Sequence, residues 1–131
     1  MAILRLLFVG LMCVMPGLLT GCGKPEFETV TGTVTFDGKP VPEGDIRFEP
    51  ADPKYGPDAE KIINGKFSVQ VRPGTRKVTI RATKLVPGKQ GPMGEDAYED
   101  YIPANYNDNT TLTADVISGK KNEISFSLKS K

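Results

Sequence analysis

From residue 28 onward, hydrophobic and polar positions alternate along much of the chain, and no stretch keeps a helical period. Val30, Gly32, Val34 and Phe36 fall on one face of a segment whose other face is Thr29, Thr31, Thr33 and Thr35. Such a stretch is a half-buried strand, and Asp37-Gly38 turns the chain after it. Ile46 and Phe48 alternate with Asp45, Arg47 and Glu49 in a second strand. Residues 50–57 are rich in Pro, Asp and Gly and read as a loop. Ile62-Ile63 then leads to Asn64-Gly65, the strongest short-range hairpin signal. Phe67, Val69 and Val71 follow in alternation, Pro73-Gly74 turns the chain, and Val78, Ile80 and Ala82 alternate again. Late in the chain Leu112, Ala114 and Val116 are separated from Ile124, Phe126 and Leu128 by a turn near Ser118-Gly119.

The alternation fails between Lys84 and Thr110. Residues 86–94 hold two prolines and three glycines and predict a mobile loop. Residues 95–100 are acidic around Tyr98 and predict a short turn of helix. Tyr101-Ile102-Pro103 and the segment 105–109 are irregular but carry apolar side chains, which predicts packing against an edge of the fold.

About seven short strands with turn signals between them predict an all-β Greek-key sandwich. The expected inward set is Val30, Val34, Phe36, Ile46, Phe48, Phe67, Val69, Val71, Val78, Ile80, Leu112, Val116, Ile124, Phe126 and Leu128. The domain expected to contain them is 28–129.

The first 21 residues follow a different pattern. Arg5 precedes a run, 6–19, that is almost wholly apolar, and small residues lead into Cys22. A positive start, an apolar middle and a small-residue end describe a secretory signal peptide. Leu19-Thr20-Gly21-Cys22 resembles a bacterial lipobox, which implies cleavage between Gly21 and Cys22. It also implies transfer of a diacylglyceryl group, with acyl chains such as palmitate, to the Cys22 thiol. An uncleaved transmembrane helix and a plain secreted protein cut near Gly21 are the competing readings. Spanning takes about 20 apolar residues, and this run is shorter and broken by Pro16-Gly17. Two or more acyl chains anchor a protein stably where one does not. Residues 22–27 would then form a lipid-anchored tether of at most roughly 20 Å. Gly23 after the cysteine resembles lipoproteins sent to an outer membrane, where the envelope has two.

Composition narrows the chemistry. The chain has no His and no Trp, and its two cysteines are Cys13, inside the apolar run, and Cys22. Without His, Ser-His-Asp and Cys-His catalysis are excluded, and zinc loses its commonest ligand. Loss of Cys13 with the signal leaves no intramolecular disulfide. The formal charge is +1, from 17 basic and 16 acidic residues interspersed along the chain. Nucleic-acid binding needs a basic stripe, which is absent. No catalytic residue, metal site or cofactor is expected.

The order of motifs resembles carboxypeptidase regulatory-like domains. The residues are Val30-Thr31-Gly32-Thr33-Val34 with Asp37-Gly38-Lys39-Pro40-Val41, then Asp45-Ile46-Arg47-Phe48, Asn64-Gly65-Lys66-Phe67, Val71-Arg72-Pro73-Gly74 and Val78-Thr79-Ile80. The likeness covers residues 28–83, and the remainder resembles the form found in small envelope lipoproteins. It implies a transthyretin- or prealbumin-like sandwich and a non-catalytic accessory module. The related hydroxyisourate hydrolases depend on histidines this chain lacks. Collagen-adhesin B-type domains form a Lys–Asn link, and no Lys, Asn or Asp is expected at inward positions of the first and last strands.

Three groups of residues remain as candidates for binding. Tyr98, Tyr101 and Tyr106, with Tyr55, could line a glycan or peptide surface, or close the end of the sandwich. Glu95, Asp96, Glu99, Asp100, Asn105, Asn107, Asp108 and Asn109 supply oxygens that suit calcium, but their spacing does not match an EF-hand and a solvated loop is the expected reading. Arg72, Arg76, Lys77 and Arg81 are expected to cluster around a Pro73-Gly74 hairpin and discourage edge pairing; an anionic envelope polymer is the alternative reading of them. The expected function is thus a non-enzymatic envelope lipoprotein, held to a membrane by its N-terminal lipid, with an envelope protein or glycan as candidate partner. The alternative is a glycan- or peptide-binding module using the Tyr98–Tyr106 region.

Overall fold

The computed structural model describes residues 27–130, so Gly21, Cys22 and the apolar run before them lie outside the described residues. The alternating stretches are strands: β1 (Glu28–Phe36), β2 (Lys39–Pro40), β3 (Glu43–Pro50), β4 (Asp58–Ile63) and β5 (Lys66–Val71) come first. They are followed by β6 (Gly74–Arg81), β7 (Thr83–Gln90), β8 (Asp96–Asp100), β9 (Thr113–Val116) and β10 (Asn122–Leu128). A single 3-10 turn, Ala104–Tyr106, is the one helical element described.

Strand order in the main sheet is β10-β1-β5-β4-β3-β6-β9, with β2 added against β1. β4 and β5 pair only at Ile63–Lys66, so the sheet folds there into two leaves. One leaf is β10-β1-β5 and the other is β4-β3-β6-β9, which together make a β-sandwich. Strands β3, β4 and β5 follow one another as neighbours, and β6 returns to lie beside β3. That order is a Greek key. The corner works because Asn64 and Gly65 both take positive φ, 52° and 74°, as a tight two-residue turn requires.

Between the leaves, Phe67 of β5 meets Phe48 of β3 at 6.2 Å between ring centroids and Phe126 of β10 at 6.3 Å. Phe67 passes over Gly32, its register partner on β1. A Cβ at Gly32 would collide with the Ile124 carbonyl and lie 2.8 Å from the Phe67 ring. Every expected inward residue is buried except Phe36, Leu112 and Ile124, which pack half-buried against the core. Val41, Ile62, Ala82, Ile102 and Ala114 complete it.

Several expectations are corrected. The segment 86–94 and the acidic run after it are not a loop and a helical turn. They belong to a two-stranded arm, β7–β8, paired at Thr83–Asp100, Lys84–Glu99 and Leu85–Tyr98. Thr83, Lys84 and Leu85 continue the chain beyond β6 and find cross-strand partners, so local pairing wins over Pro and Gly content. The glycines serve the turn: Gly94 N–H donates to Gly91 O (3.0 Å), Gly91 N–H donates to Glu95 O (2.8 Å), and Gly94 has φ of 83°. The described strands therefore exceed the expected seven by β2 and the arm. Pro73-Gly74 carries no hairpin; it moves the chain from one leaf to the other. β6 is also no edge, since β3 and β9 flank it. On the last strand, Asn122 is buried, contrary to expectation. Its amide clamps the β9–β10 turn, donating to Ile117 O (3.0 Å) and Lys120 O (3.1 Å) and accepting from Ile117 N–H (2.9 Å).

The strand registers give the sandwich two distinct ends. Glu28 lies opposite Val71, Val30 opposite Asn122, and Gly74 opposite Val116, so the chain enters beside the β5–β6 and β9–β10 connections. Phe36 pairs with Leu128 and Asp45 with Arg81 at the other end. The arm leaves from that second end, directly after Arg81.

Candidate functional site

The residues singled out by sequence divide between the two ends. Tyr55 is at the entry end, where the Arg72 guanidinium lies 5.2 Å from its ring centroid and 4.7 Å from that of Phe27. Arg72 also pairs with Asp58 at 3.5 Å. Arg76 folds back onto backbone, donating to the carbonyls of Arg72 (3.1 Å) and Pro73 (2.8 Å). Arg81 lies at the far end of β6, paired with Asp100 at 3.6 Å and with Asp108. The four basic residues thus form no single patch, because a strand of this length separates Arg72 from Arg81.

The acidic and amide groups are likewise distributed. Among the described residues no three carboxylates or thiolates gather as a metal site would require. Asn107, expected in a solvated loop, is buried. Its amide nitrogen donates to Ile80 O (3.3 Å), Ile102 O (3.3 Å) and Pro103 O (3.2 Å), and its oxygen accepts from Asp108 N–H (2.8 Å). It stitches the 101–110 segment to β6. Asp100 and Asp108 grip Arg81, and Glu99 faces Lys84 at 3.9 Å.

The three candidate tyrosines take different roles. Tyr106 packs half-buried against the core and its hydroxyl accepts from Lys129 N–H (3.1 Å). Tyr101 meets Phe36 edge-on, at 5.4 Å and 73°, and desolvation pushes its phenol above the usual tyrosine value. Together with Pro42 these rings wall an apolar groove of about 600 Å³. Tyr98 instead stands in solvent, 62% exposed, on the arm.

Below Tyr98 is a polar cleft of about 330 Å³. Its floor is a row across three strands: Asp45 of β3 is in register with Lys61 of β4 and with Arg81 of β6. Lys61 donates to Asp45 at 2.6 Å. That hydrogen bond, and then the Asp45 charge, raises the Lys61 ammonium above its ordinary value, so it remains a donor. The arm supplies the wall, because Thr83, Tyr98 and Asp100 share one face of the β7–β8 ribbon. Leu85 sits opposite Tyr98 across the ribbon and supports its position. The cleft therefore offers paired donors and acceptors and one open aromatic face. Sequence reading identifies Tyr98 but not Asp45, Lys61 or Arg81 as its neighbours. Their convergence depends on the register of β3 against β4 and β6, which no local motif in this chain encodes.

No family model matches this chain, and no curated protein matches it. A 9R-lipoxygenase from Cyanothece PCC8801 is a solved structure with some likeness, at 10% identity and a TM-score of 0.45. The match covers 83% of this chain but 17% of the lipoxygenase.

Proposed function

We propose that this chain is a non-enzymatic cell-envelope lipoprotein: an interaction module of the carboxypeptidase regulatory-like kind, anchored through lipidated Cys22. The observation that carries the reading is the polarity of the sandwich. β1 begins at Glu28, six residues after Cys22, and the arm leaves from the opposite end. A tether of at most roughly 20 Å would hold the entry end beside the bilayer and turn the arm and the Tyr98 cleft outward. The test has two parts. Cys22→Ser should move the protein to the soluble fraction, and unchanged membrane retention refutes lipidation. Met93→Cys, at the arm tip and 94% exposed, should react with a membrane-impermeant maleimide faster than Lys120→Cys in the β9–β10 turn. Equal rates refute outward presentation.

A second reading, a module that binds glycan or peptide near Tyr98, is favoured by the cleft. The three tyrosines do not act as one surface in it. Tyr106 supports the core, Tyr101 belongs to the apolar groove, and Tyr98 alone overlooks the cleft.

A further inference from the structure

The floor of the cleft is charged yet largely neutralised. Three carboxylates, Glu43, Asp45 and Asp100, face two cations, Lys61 and Arg81, which leaves one negative charge in excess. An anionic ligand would meet net repulsion there, and a ligand with a full positive charge would have to compete with existing ion pairs. A neutral, hydroxyl-rich ligand meets neither obstacle. Carboxylates accept from hydroxyls, and the ammonium and guanidinium donate to them.

The wall adds a second requirement. An exposed phenol ring presents an apolar face and a polar tip, and Tyr98 is held at a cross-strand position. Its counterpart is a ligand with an apolar face and a polar rim, which describes a pyranose ring whose axial C–H bonds line its faces and whose equatorial hydroxyls surround its edge. The volume, about 330 Å³, lies at the low end of the roughly 300–1,000 Å³ range of small-molecule sites. It admits one or two rings.

We propose that the cleft between the arm and the β4-β3-β6 strand ends binds a neutral sugar ring. The ring stacks on Tyr98, and its hydroxyls are held by Asp45, Lys61, Arg81 and Asp100. This rests on the ligand-binding reading above and names its ligand class. Asp45 and Arg81 orient the equatorial hydroxyls, and Tyr98 selects for an apolar ring face.

The experiment titrates the mature domain carrying Cys22→Ser with neutral β-1,4-linked oligosaccharides, N-acetylated chitotriose and cellotriose, followed by NMR of the Tyr98 ring and the Asp45 and Arg81 amides. A uronic-acid trisaccharide and an extended-peptide library run in parallel. The expected result is saturable binding of a neutral sugar, weakened about tenfold by Tyr98→Ala, nearly retained by Tyr98→Phe and unaffected by Tyr55→Ala at the other end. The uronic acid should bind more weakly than the neutral sugar. Binding of sugar that is indifferent to Tyr98→Ala overturns the proposal. Peptide binding at Tyr98 without sugar binding overturns the sugar assignment and leaves a ligand site. No binding in any arm overturns both.

Discussion

Replacing Asn107 with alanine should cost about 3 kcal/mol of folding stability. The side chain is buried, and its two amide hydrogens are shared among the carbonyls of Ile80, Ile102 and Pro103 at 3.2–3.3 Å. Its oxygen takes the Asp108 N–H at 2.8 Å. Two donors and one acceptor are therefore removed. At about 1 kcal/mol net for each bond the loss is about 3 kcal/mol, and buried carbonyls left without a donor push it upward. For a domain near 100 residues each kcal/mol lowers Tm by roughly 4–8 °C, so the drop should be roughly 12 °C or more. Urea unfolding of the Cys22→Ser mature domain, followed by circular dichroism, measures it directly. The slope with denaturant should stay constant while the midpoint falls.

Two companion variants separate the clamp from a general loop effect. Asn105→Ala, exposed and two residues away, should stay within about 0.5 kcal/mol of the native protein. Asn107→Asp preserves shape but turns a carboxylate toward three carbonyl oxygens. Burial and those dipoles favour its protonated form, so its folded-state pKa lies above the unfolded one. Stability is then present at low pH and lost as pH rises through the carboxylate range. Asn107→Asp should therefore be closer to native at pH 4 than at pH 7. If Asn107→Ala and Asn105→Ala unfold at the same urea concentration, the hydrogen-bond reasoning is wrong.

Gly32→Ala should destabilise by about 3 kcal/mol in the same assay, the upper end for overpacking, because its Cβ meets both the Ile124 carbonyl and the Phe67 ring. Gly65→Ala should cost about 2 kcal/mol, since it strains a φ of 74° and puts a methyl 2.7 Å from Pro40 Cβ. Absorbance titration, with Tyr101→Phe as the reference, should find the Tyr101 phenol ionising above the ordinary tyrosine value, because desolvation raises it. As the unfolded chain ionises first, Tyr101 stops supporting the fold above about pH 10, and Tyr101→Phe should lessen the alkaline loss of stability.

What the sequence made legible, and what it hid, follows from how each segment is held. β1, β3, β5, β6 and β10 each bury one face, so their side chains had to alternate and the period could be read. The arm buries neither face. Its residues are almost all exposed, so core packing imposes no period on it, and its prolines and glycines suggested a loop. Backbone pairing specifies it instead, and backbone pairing leaves little trace in a sequence. The burial of Asn107 and Asn122 is hidden in the sequence for a related reason. An amide that satisfies buried carbonyls and one that faces water are the same letter, and only the surrounding chain path distinguishes them.

The same logic explains why the solvent face of the β4-β3-β6 leaf holds the site at the far end of the sandwich. Positions inside the leaves are committed to burial, and positions outside them mostly pair locally across strands. Constraints relax only where strands end. At the far end the Greek key brings together the start of β3, the end of β4 and the end of β6. Three segments distant in sequence thus deliver Asp45, Lys61 and Arg81 side by side. The arm then continues from β6 and returns through β8, which carries Tyr98 over that row and brings Asp100 back to Arg81. The Arg81–Asp100 pair is exposed and adds little stability, yet it ties the root of the arm to the floor of the cleft. A substitution that cuts this tie, such as Arg81→Gln, should therefore leave the sandwich folded while loosening the aromatic wall over its floor.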